Sequence, residues 1–288
     1  MGQVLIAGCG YVGSQAALFL LEEDRDVVGL RRNVAAIPPS IPRISADLVS
    51  GTGLDAVPED VDQLLYAASP GDRSEEAYQQ AYLDGPARLR ELFRARDQVI
   101  RRAVLLSSTG VYGDAEGAWV DEETPPRPDT ITGQVLDEAE MAFLEKWQGI
   151  GVVLRLGGIY GPGRTRLLEM VRSGRARCPE GDTVYSNRIH RDDAARASVF
   201  LLDHPTASGV YLGVDEEPAD LCSLYRWMAS ELGVPAPTPG GIERTRSNKR
   251  CSGARLRRLG FSYSFPTFRQ GYSELLPAGG DDGGQTGS

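Results

Sequence analysis

Lysine is almost missing from this sequence. The chain of 288 residues contains 31 basic residues, and among them Lys146 and Lys249 are the two lysines. Any chemistry that needs a lysine ammonium group must therefore use one of these two positions. Histidine is equally scarce, with His190 and His204 as the two examples. Because histidine is the side chain that most often titrates near neutral pH, few candidates for proton transfer are present.

The cysteine pattern excludes two further classes of protein. Four cysteines lie far apart, with no Cys-x-x-Cys pair and no histidine at ligand spacing: Cys9, Cys178, Cys222 and Cys251. Zinc sites and small disulfide-linked folds need closely spaced ligands or an ordered set of pairs. The spacing predicts neither a metal site nor a disulfide framework. It favours unpaired thiols in a reducing compartment.

Long apolar runs and excess positive charge are absent as well. No apolar stretch reaches the ~20 residues of a membrane helix, and the first predicted strand begins too close to Met1 to leave room for a signal peptide. A net charge of −9 disfavours nucleic acid, because an acidic surface repels phosphate backbones. We therefore expect a cytoplasmic protein with no nucleic-acid or membrane partner. A local basic pocket can still bind a small anionic molecule.

Short apolar runs alternate with amphipathic segments in the first half of the chain. The runs are bounded by turn residues and show little alternation, which predicts buried strands at Gln3–Ala7, 26–30, 41–46, 61–67, 102–107 and Gly151–Leu156. Helical periodicity predicts helices over 12–23, 75–95, 134–147, 164–173, 192–203, Leu221–Leu232 and 253–259. Strands alternating with helices predict an α/β protein built on a Rossmann-type, doubly wound parallel sheet.

After Gly161 the regular alternation of strands and helices gives way to short helices with short strands between them. This change predicts a two-part organisation. Residues 1–160, with 188–213 added, are expected to form a dinucleotide-binding Rossmann domain. Residues 161–276 are expected to form mainly a small C-terminal substrate lobe. The end of the chain, 277–288, is polar and rich in glycine, and this composition predicts a disordered tail.

A glycine-rich turn follows the first predicted strand and opens the first helix. Its sequence, GCGYVG (8–13), has the spacing G-x-G-x-x-G. In this context Gly8 permits a tight turn, Gly10 lets a pyrophosphate approach the backbone, and Gly13 lets the helix pack against the strand. The first helical residues, Tyr11 and Val12, would then present amide groups to the phosphates. The turn predicts a dinucleotide cofactor.

The second strand ends with two arginines where an NAD-selective site usually has a carboxylate. Arg31 and Arg32 suit the 2′-phosphate of NADP, although two solvated surface arginines would give the same pattern. We therefore predict NADP as the cofactor and leave NAD open. Four residues at the ends of the next two strands are expected to line the cofactor trough: Asp47, Leu48, Ala67 and Ala68.

Six motifs in order resemble the extended and atypical short-chain dehydrogenase/reductases, which include NAD-dependent epimerases and dehydratases. They are GCGYVG (8–13), AASP (67–70), LLSSTGVYG (105–113), DEETPPRP (121–128), LRLGGIYGPGR (154–164) and RIHRDDAARA (188–197). The resemblance implies a Rossmann sheet with a small lobe closing over the nicotinamide. It also implies a homodimer through the two predicted helices 75–95 and 134–147.

In that family a Ser or Thr, a Tyr and a Lys carry out the chemistry. The resemblance implies Ser108 as the hydroxyl that holds the substrate oxygen, with Thr109 as the alternative. The stretch that should contain Tyr-x-x-x-Lys has Thr132 and Leu136 instead, and neither lysine has a tyrosine four residues before it. A threonine hydroxyl is too weak an acid to replace a phenol unaided. The chain therefore resembles the atypical subgroups that lack the pair.

Other groups could replace the missing pair or bind the substrate. Tyr160 follows the last predicted strand of the first domain, so it is a candidate proton donor, or a wall of the substrate site. Arg164, His190 and Arg250 are candidate substrate contacts, and the last lies in a basic segment, 244–251, suited to phosphate or carboxylate. Structural roles are the alternative for Tyr160, His190 and Arg250.

Two functions compete on these observations. The first is an NAD(P)-dependent oxidoreductase or epimerase-like enzyme acting on a small polar substrate, either anionic or nucleotide-linked. The second is a catalytically silent sensor or scaffold that binds NADP(H). The cofactor turn supports both, and the missing Tyr–Lys pair is the reason for the second.

Overall fold

The computed structural model describes residues 2–240 and 247–276. Its strands are β1 (Gln3–Ala7), β2 (Val27–Arg31), β3 (Arg43–Ser45), β4 (Val61–Tyr66), β5 (Arg102–Ser108), β6 (Trp119–Val120), β7 (Gly151–Leu156), β8 (Gly158–Tyr160), β9 (Tyr185–Ser186), β10 (Arg188–His190), β11 (Gly209–Gly213), β12 (Ala219–Asp220) and β13 (Arg250–Cys251). Its α-helices are α1 (Tyr11–Glu22), α2 (Glu75–Gln79), α3 (Gly85–Ala95), α4 (Ile131–Lys146), α5 (Arg166–Arg172), α6 (Arg191–Asp203), α7 (Leu221–Leu232), α8 (Ala254–Arg258) and α9 (Phe268–Ser273).

A seven-stranded parallel sheet forms the centre of the chain, in the order β11-β7-β5-β4-β1-β2-β3. The strand order reverses direction between β1 and β4. In open α/β sheets a ligand binds in the crevice outside the carboxyl ends of the strands at such a reversal. The predicted Rossmann fold is confirmed, and its topology places the binding crevice beside the glycine turn that follows β1.

Apolar side chains cover both faces of this sheet. On one face α1 and α6 pack together, and α1 contributes Ala16, Ala17 and Leu20 at helical spacing. On the other face α3 contributes Phe93, and Trp147 packs just after the end of α4. Because the central strands are buried on both faces, their sequences are continuous apolar runs, as predicted.

A separate apolar cluster lies among the helices that follow the sheet. It joins α5, α7 and α9 through buried residues such as Leu168, Met228 and Phe268, and it includes Tyr160 at the end of β8. We call this set of residues the lobe cluster. It includes α9, which the sequence analysis did not predict although Thr267 and Gln270 form a capping box at its start.

The predicted helix 75–95 is interrupted. A π-helical turn over Gln80–Asp84 separates α2 from α3. Pro86 has no amide hydrogen and its ring clashes with the carbonyl four residues earlier, which disfavours a regular α-helix here. The hydroxyl of Tyr66 also donates to the carbonyl of Ala81 at 2.5 Å, so a side chain from β4 occupies the widened turn.

The prediction that the cysteines stay unpaired is wrong for two of them. Cys178 and Cys222 form a disulfide with a Cα–Cα distance of 5.0 Å across 44 residues of sequence. The segment after α5 and the start of α7 meet in the fold, and sequence spacing alone cannot show such a meeting. Cys9 and Cys251 are buried and free.

Two features are absent from residues 2–240 and 247–276. No helix in these ranges is long and apolar enough to cross a membrane. No group of three or more histidine, cysteine or carboxylate side chains lies close enough there to hold a metal ion. The predicted tail, 277–288, and residues 244–246 of the predicted basic segment lie outside the described residues.

Candidate cofactor and active site

The three glycines of the turn after β1 have different surroundings. Gly8 has a φ of +90°, and a Cβ atom there would lie 2.2 Å from the amide nitrogen of Ala68. A Cβ atom on Gly13 would lie 2.6 Å from the carbonyl oxygen of Gly8. By contrast, the nearest atom to a Cβ on Gly10 is 3.8 Å away. Gly8 and Gly13 are therefore needed by the fold, whereas Gly10 keeps the space in front of the turn open.

The start of α1 is arranged to receive an anion. Gly10 precedes the helix and has no side chain to bond its first amide groups. Those amides and the helix dipole both favour negative charge at this end. A diphosphate fits this position, because close backbone approach and free amide donors are what the group requires.

A groove with a cavity volume of about 490 Å³ runs along the carboxyl ends of β1, β2 and β4. The structure brings most of the predicted cofactor residues together along it: Gly8, Gly10, Tyr11, Val12, Arg31, Arg32, Asp47, Leu48, Ala67 and Ala68. Gly13 lies beneath the turn, where it supports the turn instead of lining the groove. Further lining comes from residues that were not predicted, including Asn33, Tyr82 and Ser107.

The end of the groove at β2 is rich in arginine. Arg31 is half-buried and Arg32 is exposed. The carboxylate of Asp47, the acidic side chain nearby in the lining, accepts a hydrogen bond from the backbone amide of Val49 at 2.9 Å. It therefore helps to shape its own loop. The local charge at this end favours an anion such as a phosphate.

Ser107 and Ser108 at the end of β5 have different partners. Ser107 lines the groove and its hydroxyl donates to the carboxylate of Glu140 on α4 at 2.5 Å. Ser108 is half-buried, and its oxygen accepts from the amide of Gly110 at 3.1 Å. Among the described residues the hydroxyl hydrogen of Ser108 has no acceptor, and Ser108, unlike Ser107, does not line the groove. The alternative hydroxyl, Thr109, is buried.

A buried ionic network supports this end of the groove. Arg155 on β7 donates to Glu140 at 2.6 and 2.8 Å and to the hydroxyl of Tyr112 at 2.7 Å. Burial raises the pKa of Glu140, and the hydrogen bonds from Arg155 act in the opposite direction. Glu140 was not predicted from the sequence. Its position one helical turn after Leu136 was the available signal, since residues four apart share a helix face.

The sequence profile of the NAD dependent epimerase/dehydratase family matches residues 4–212. The chain belongs to this family. Protein YeeZ of Escherichia coli (strain K12) is 32% identical over 288 residues, covering 92% of this chain and 97% of that protein. The 3-diazoavenalumate denitrifying reductase of a Streptomyces species is 29% identical over 255 residues, covering 82% of this chain and 83% of the reductase.

Solved structures show the same family architecture. MoeE5 in complex with UDP-glucose and NAD superimposes with a TM-score of 0.79 at 25% identity, covering 94% of this chain and 96% of MoeE5. The similarity extends over both the sheet and the lobe cluster, because nearly the whole of each chain is matched.

This family member lacks an acid–base pair on α4. Leu136 is buried in an apolar cluster with Val111 and Val120, and its own side chain supplies no charge. The hydroxyl of Thr132 lies 3.3 Å from that of Thr130, the residue that caps α4. The two positions therefore serve packing and helix capping.

Tyr160 does not take the place of the missing tyrosine. Its ring is 1% exposed and stacks on Tyr272 with ring centres 4.2 Å apart, within the lobe cluster. Among the described residues its hydroxyl has no hydrogen-bond partner, and burial raises its pKa. Tight packing against Gly271 and Tyr272 holds the Tyr160 side chain in the lobe cluster, and Tyr160 does not line the groove.

His190 caps a helix. Its Nδ1 accepts from the amide of Asp192 at 3.2 Å at the start of α6, so His190, and neither Asp192 nor Asp193, is the N-cap. The carboxylate of Asp193 instead accepts from the amides of Ser264 and Phe265, both at 2.8 Å. The imidazole is 1% exposed, so a direct substrate contact, one of the two roles considered, would require it to leave this position.

The described part of the basic segment, 247–251, is tied to neighbouring loops. Arg250 donates to the carbonyl of Gly117 at 2.7 Å and stacks between Trp119 and Tyr185. Lys249 is buried and donates to the carbonyl of Gly113 at 3.0 Å. Arg250 does not line the groove, whereas Arg164 does. Of the predicted substrate contacts, the structure brings Arg164 alone beside the cofactor residues.

Proposed function

We propose that this protein is an NADP-dependent oxidoreductase or epimerase-like enzyme that acts on a small polar substrate. The observation that carries the proposal is the groove itself, which begins at the reversal point of the sheet and is lined by an open glycine turn, an uncapped helix start and two arginines. When bound, the dinucleotide would supply or accept a hydride at its nicotinamide ring.

The preference for NADP rests on charge at the end of β2. Arg31 and Arg32 lie there, and the carboxylate of Asp47 is bonded to Val49. A ribose 2′-hydroxyl is usually held by a free carboxylate, whereas a 2′-phosphate needs a cation. NAD stays the alternative, since MoeE5 was solved with NAD.

The substrate is proposed to be polar, and anionic or linked to a nucleotide. MoeE5 was solved with UDP-glucose, and the Streptomyces relative is described as a reductase. In this chain Ser108 would donate its free hydroxyl hydrogen to the substrate oxygen. Since Tyr160 is buried and α4 has no Tyr–Lys pair, the proton transfer would use water or the substrate itself.

A turnover assay with the matched variants tests this proposal. Purified protein with NADPH is assayed over a panel of carbonyl compounds and nucleotide sugars. Ser108→Ala should lower kcat/KM without changing the affinity for NADPH. Ser252→Ala, a change at a half-buried serine outside the groove, is the control. Absence of turnover with every compound, together with normal NADPH binding, would favour the second candidate, a cofactor-binding sensor.

A homodimer through α3 and α4 is also proposed. Met141 on α4 is 61% exposed, which leaves a large apolar side chain of this helix for a partner subunit to cover. Light scattering at micromolar concentration distinguishes a dimer of about 62 kDa from the 31.1 kDa chain.

A further inference from the structure

Arg164 lies where the lobe side of the groove meets the glycine turn. It lines the groove, and its guanidinium carbon is 4.1 Å from the ring centre of Tyr11. Tyr11 is the first residue of α1 and directly follows Gly10. The cation is thereby held against the first helical turn, the place where a diphosphate would lie.

The loop that carries Arg164 is fastened to the same tyrosine. The hydroxyl of Tyr11 donates to the carbonyl of Pro162 at 3.0 Å, and a Cβ atom on Gly161 would lie 3.0 Å from that hydroxyl. The amide of Arg164 donates to the carbonyl of Gly161 at 2.9 Å, which closes the turn. Tyr11 therefore positions both the backbone and the side chain of this loop.

The charge of Arg164 is not neutralised within the described part of the chain. Arg164 forms no ion pair among residues 2–240 and 247–276 and its side chain is exposed. A second guanidinium, that of Arg191, lies 5.5 Å from the same ring but is paired with Asp192 at 2.8 Å. An unpaired cation beside a helix N-terminus gives a site for an anion with more than one negative charge.

We propose that Arg164 binds the diphosphate of the dinucleotide cofactor, and does not bind the substrate. The phosphates would lie between the amides at the start of α1 and the guanidinium held on the ring of Tyr11. The glycine turn supplies one side of the site, and the loop formed by residues 161–164 supplies the other. This inference rests on the proposed dinucleotide cofactor and assigns a second, cationic half to its binding site.

Titrations with ligands that do or do not contain a diphosphate test the inference. NADPH, ADP-ribose and 2′-AMP are titrated into the wild-type chain, Arg164→Gln and the control Arg166→Gln. Arg166 is an exposed arginine two residues away that does not line the groove. Arg164→Gln should lower the affinity for NADPH and for ADP-ribose about tenfold, the usual scale of a hydrogen bond to a charged group. The affinity for 2′-AMP and the thermal midpoint of the free protein should stay unchanged.

The variant Tyr11→Leu gives an independent check on geometry. Removing the ring should weaken NADPH binding, and Arg164→Gln should then have a smaller effect, because the guanidinium is no longer held in place. If the losses of NADPH binding free energy caused by Tyr11→Leu and Arg164→Gln are fully additive, Tyr11 does not position Arg164.

The failures of the two proposals are distinguishable. If wild-type protein binds neither NADPH nor ADP-ribose, the proposed function fails. If it binds both and Arg164→Gln changes only the KM of a substrate, Arg164 is a substrate residue and this inference is overturned. An equal loss in Arg166→Gln would also overturn it, since a general surface charge would then explain the effect.

Discussion

Gly10 and Gly13 lie three residues apart in one turn but are constrained by different atoms. A side chain on Gly13 would collide with the backbone of Gly8, whereas a side chain on Gly10 would project into open space. Substitutions at the two positions should therefore separate folding from binding. This contrast can be measured without knowing the substrate.

Replacing Gly10 by valine should abolish cofactor binding and leave the fold intact. The valine side chain would fill the space in front of the turn, while the free energy of unfolding should fall by only about 1 kcal/mol, the scale of replacing a helix N-cap. Thermal unfolding and NADPH fluorescence measure the two effects. Gly13→Val is the counterpart, and it should lower the stability clearly because of the 2.6 Å approach to Gly8. Normal NADPH binding by Gly10→Val would contradict this reading of the turn.

Arg31 should decide between the two nicotinamide dinucleotides. Arg31→Ala removes the half-buried cation at the end of β2, so NADPH should bind about tenfold more weakly, the scale of one charge-assisted contact. NADH has no 2′-phosphate, and its affinity should stay unchanged, which makes it the internal control. Equal weakening of both cofactors would mean that Arg31 supports the groove in general and does not select NADP.

At the scale of elements, the stability that the N-cap of α6 contributes should depend on pH. His190 accepts a hydrogen bond from Asp192, so its Nδ1 must be unprotonated for the cap to form. Burial lowers the pKa of His190, Arg191 lowers it further, and Asp192 raises it to a smaller extent than burial lowers it. A folded-state pKa below the unfolded value means that the unfolded chain binds more protons at mildly acidic pH. The stability contributed by His190 is therefore present above its usual pKa of about 6.5 and is lost as the pH falls.

His190→Asn should reduce this pH dependence. Asparagine also caps helices but does not titrate, so the variant should lose less stability between pH of about 7.5 and about 5.5, by on the order of 1 kcal/mol. Urea unfolding at several pH values measures the difference. His204→Asn, at the other end of α6, is the control and should behave as the wild type does.

Several elements could be predicted from the sequence because local patterns specify them. The glycine spacing indicated the turn and α1, and Leu221–Leu232 was predicted with the bounds that the structure has for α7. The sequence-based predictions failed where contacts between residues far apart in the chain determine the structure. The break before α3 involves a hydrogen bond from Tyr66 of β4 in addition to the local effect of Pro86, and the site residue Glu140 is defined by Ser107 and Arg155 on other elements.

At the scale of the whole molecule, a disulfide links the segment that follows α5 to the first turn of α7. Cys178 follows α5 and Cys222 lies in the first turn of α7. Forty-four residues separate them, so the bond restricts the unfolded chain considerably. Such a loop is expected to contribute about 2–4 kcal/mol to stability.

Thiol counting tests this bond. Protein unfolded without reductant should contain two reactive thiols, those of Cys9 and Cys251, and reductant should raise the number to four. Reduction should also lower the thermal midpoint of the wild type and leave that of Cys222→Ser unchanged. Four reactive thiols in protein purified without reductant would show that the pair stays open in solution.

The proposed dinucleotide site would lie between the glycine turn that follows β1 and the loop that carries Arg164. The most direct test is a calorimetric titration of the intact wild-type chain with NADPH and, separately, with NADH. The account predicts binding of both, with NADPH the tighter ligand. Absence of heat with either dinucleotide at millimolar concentration would contradict it.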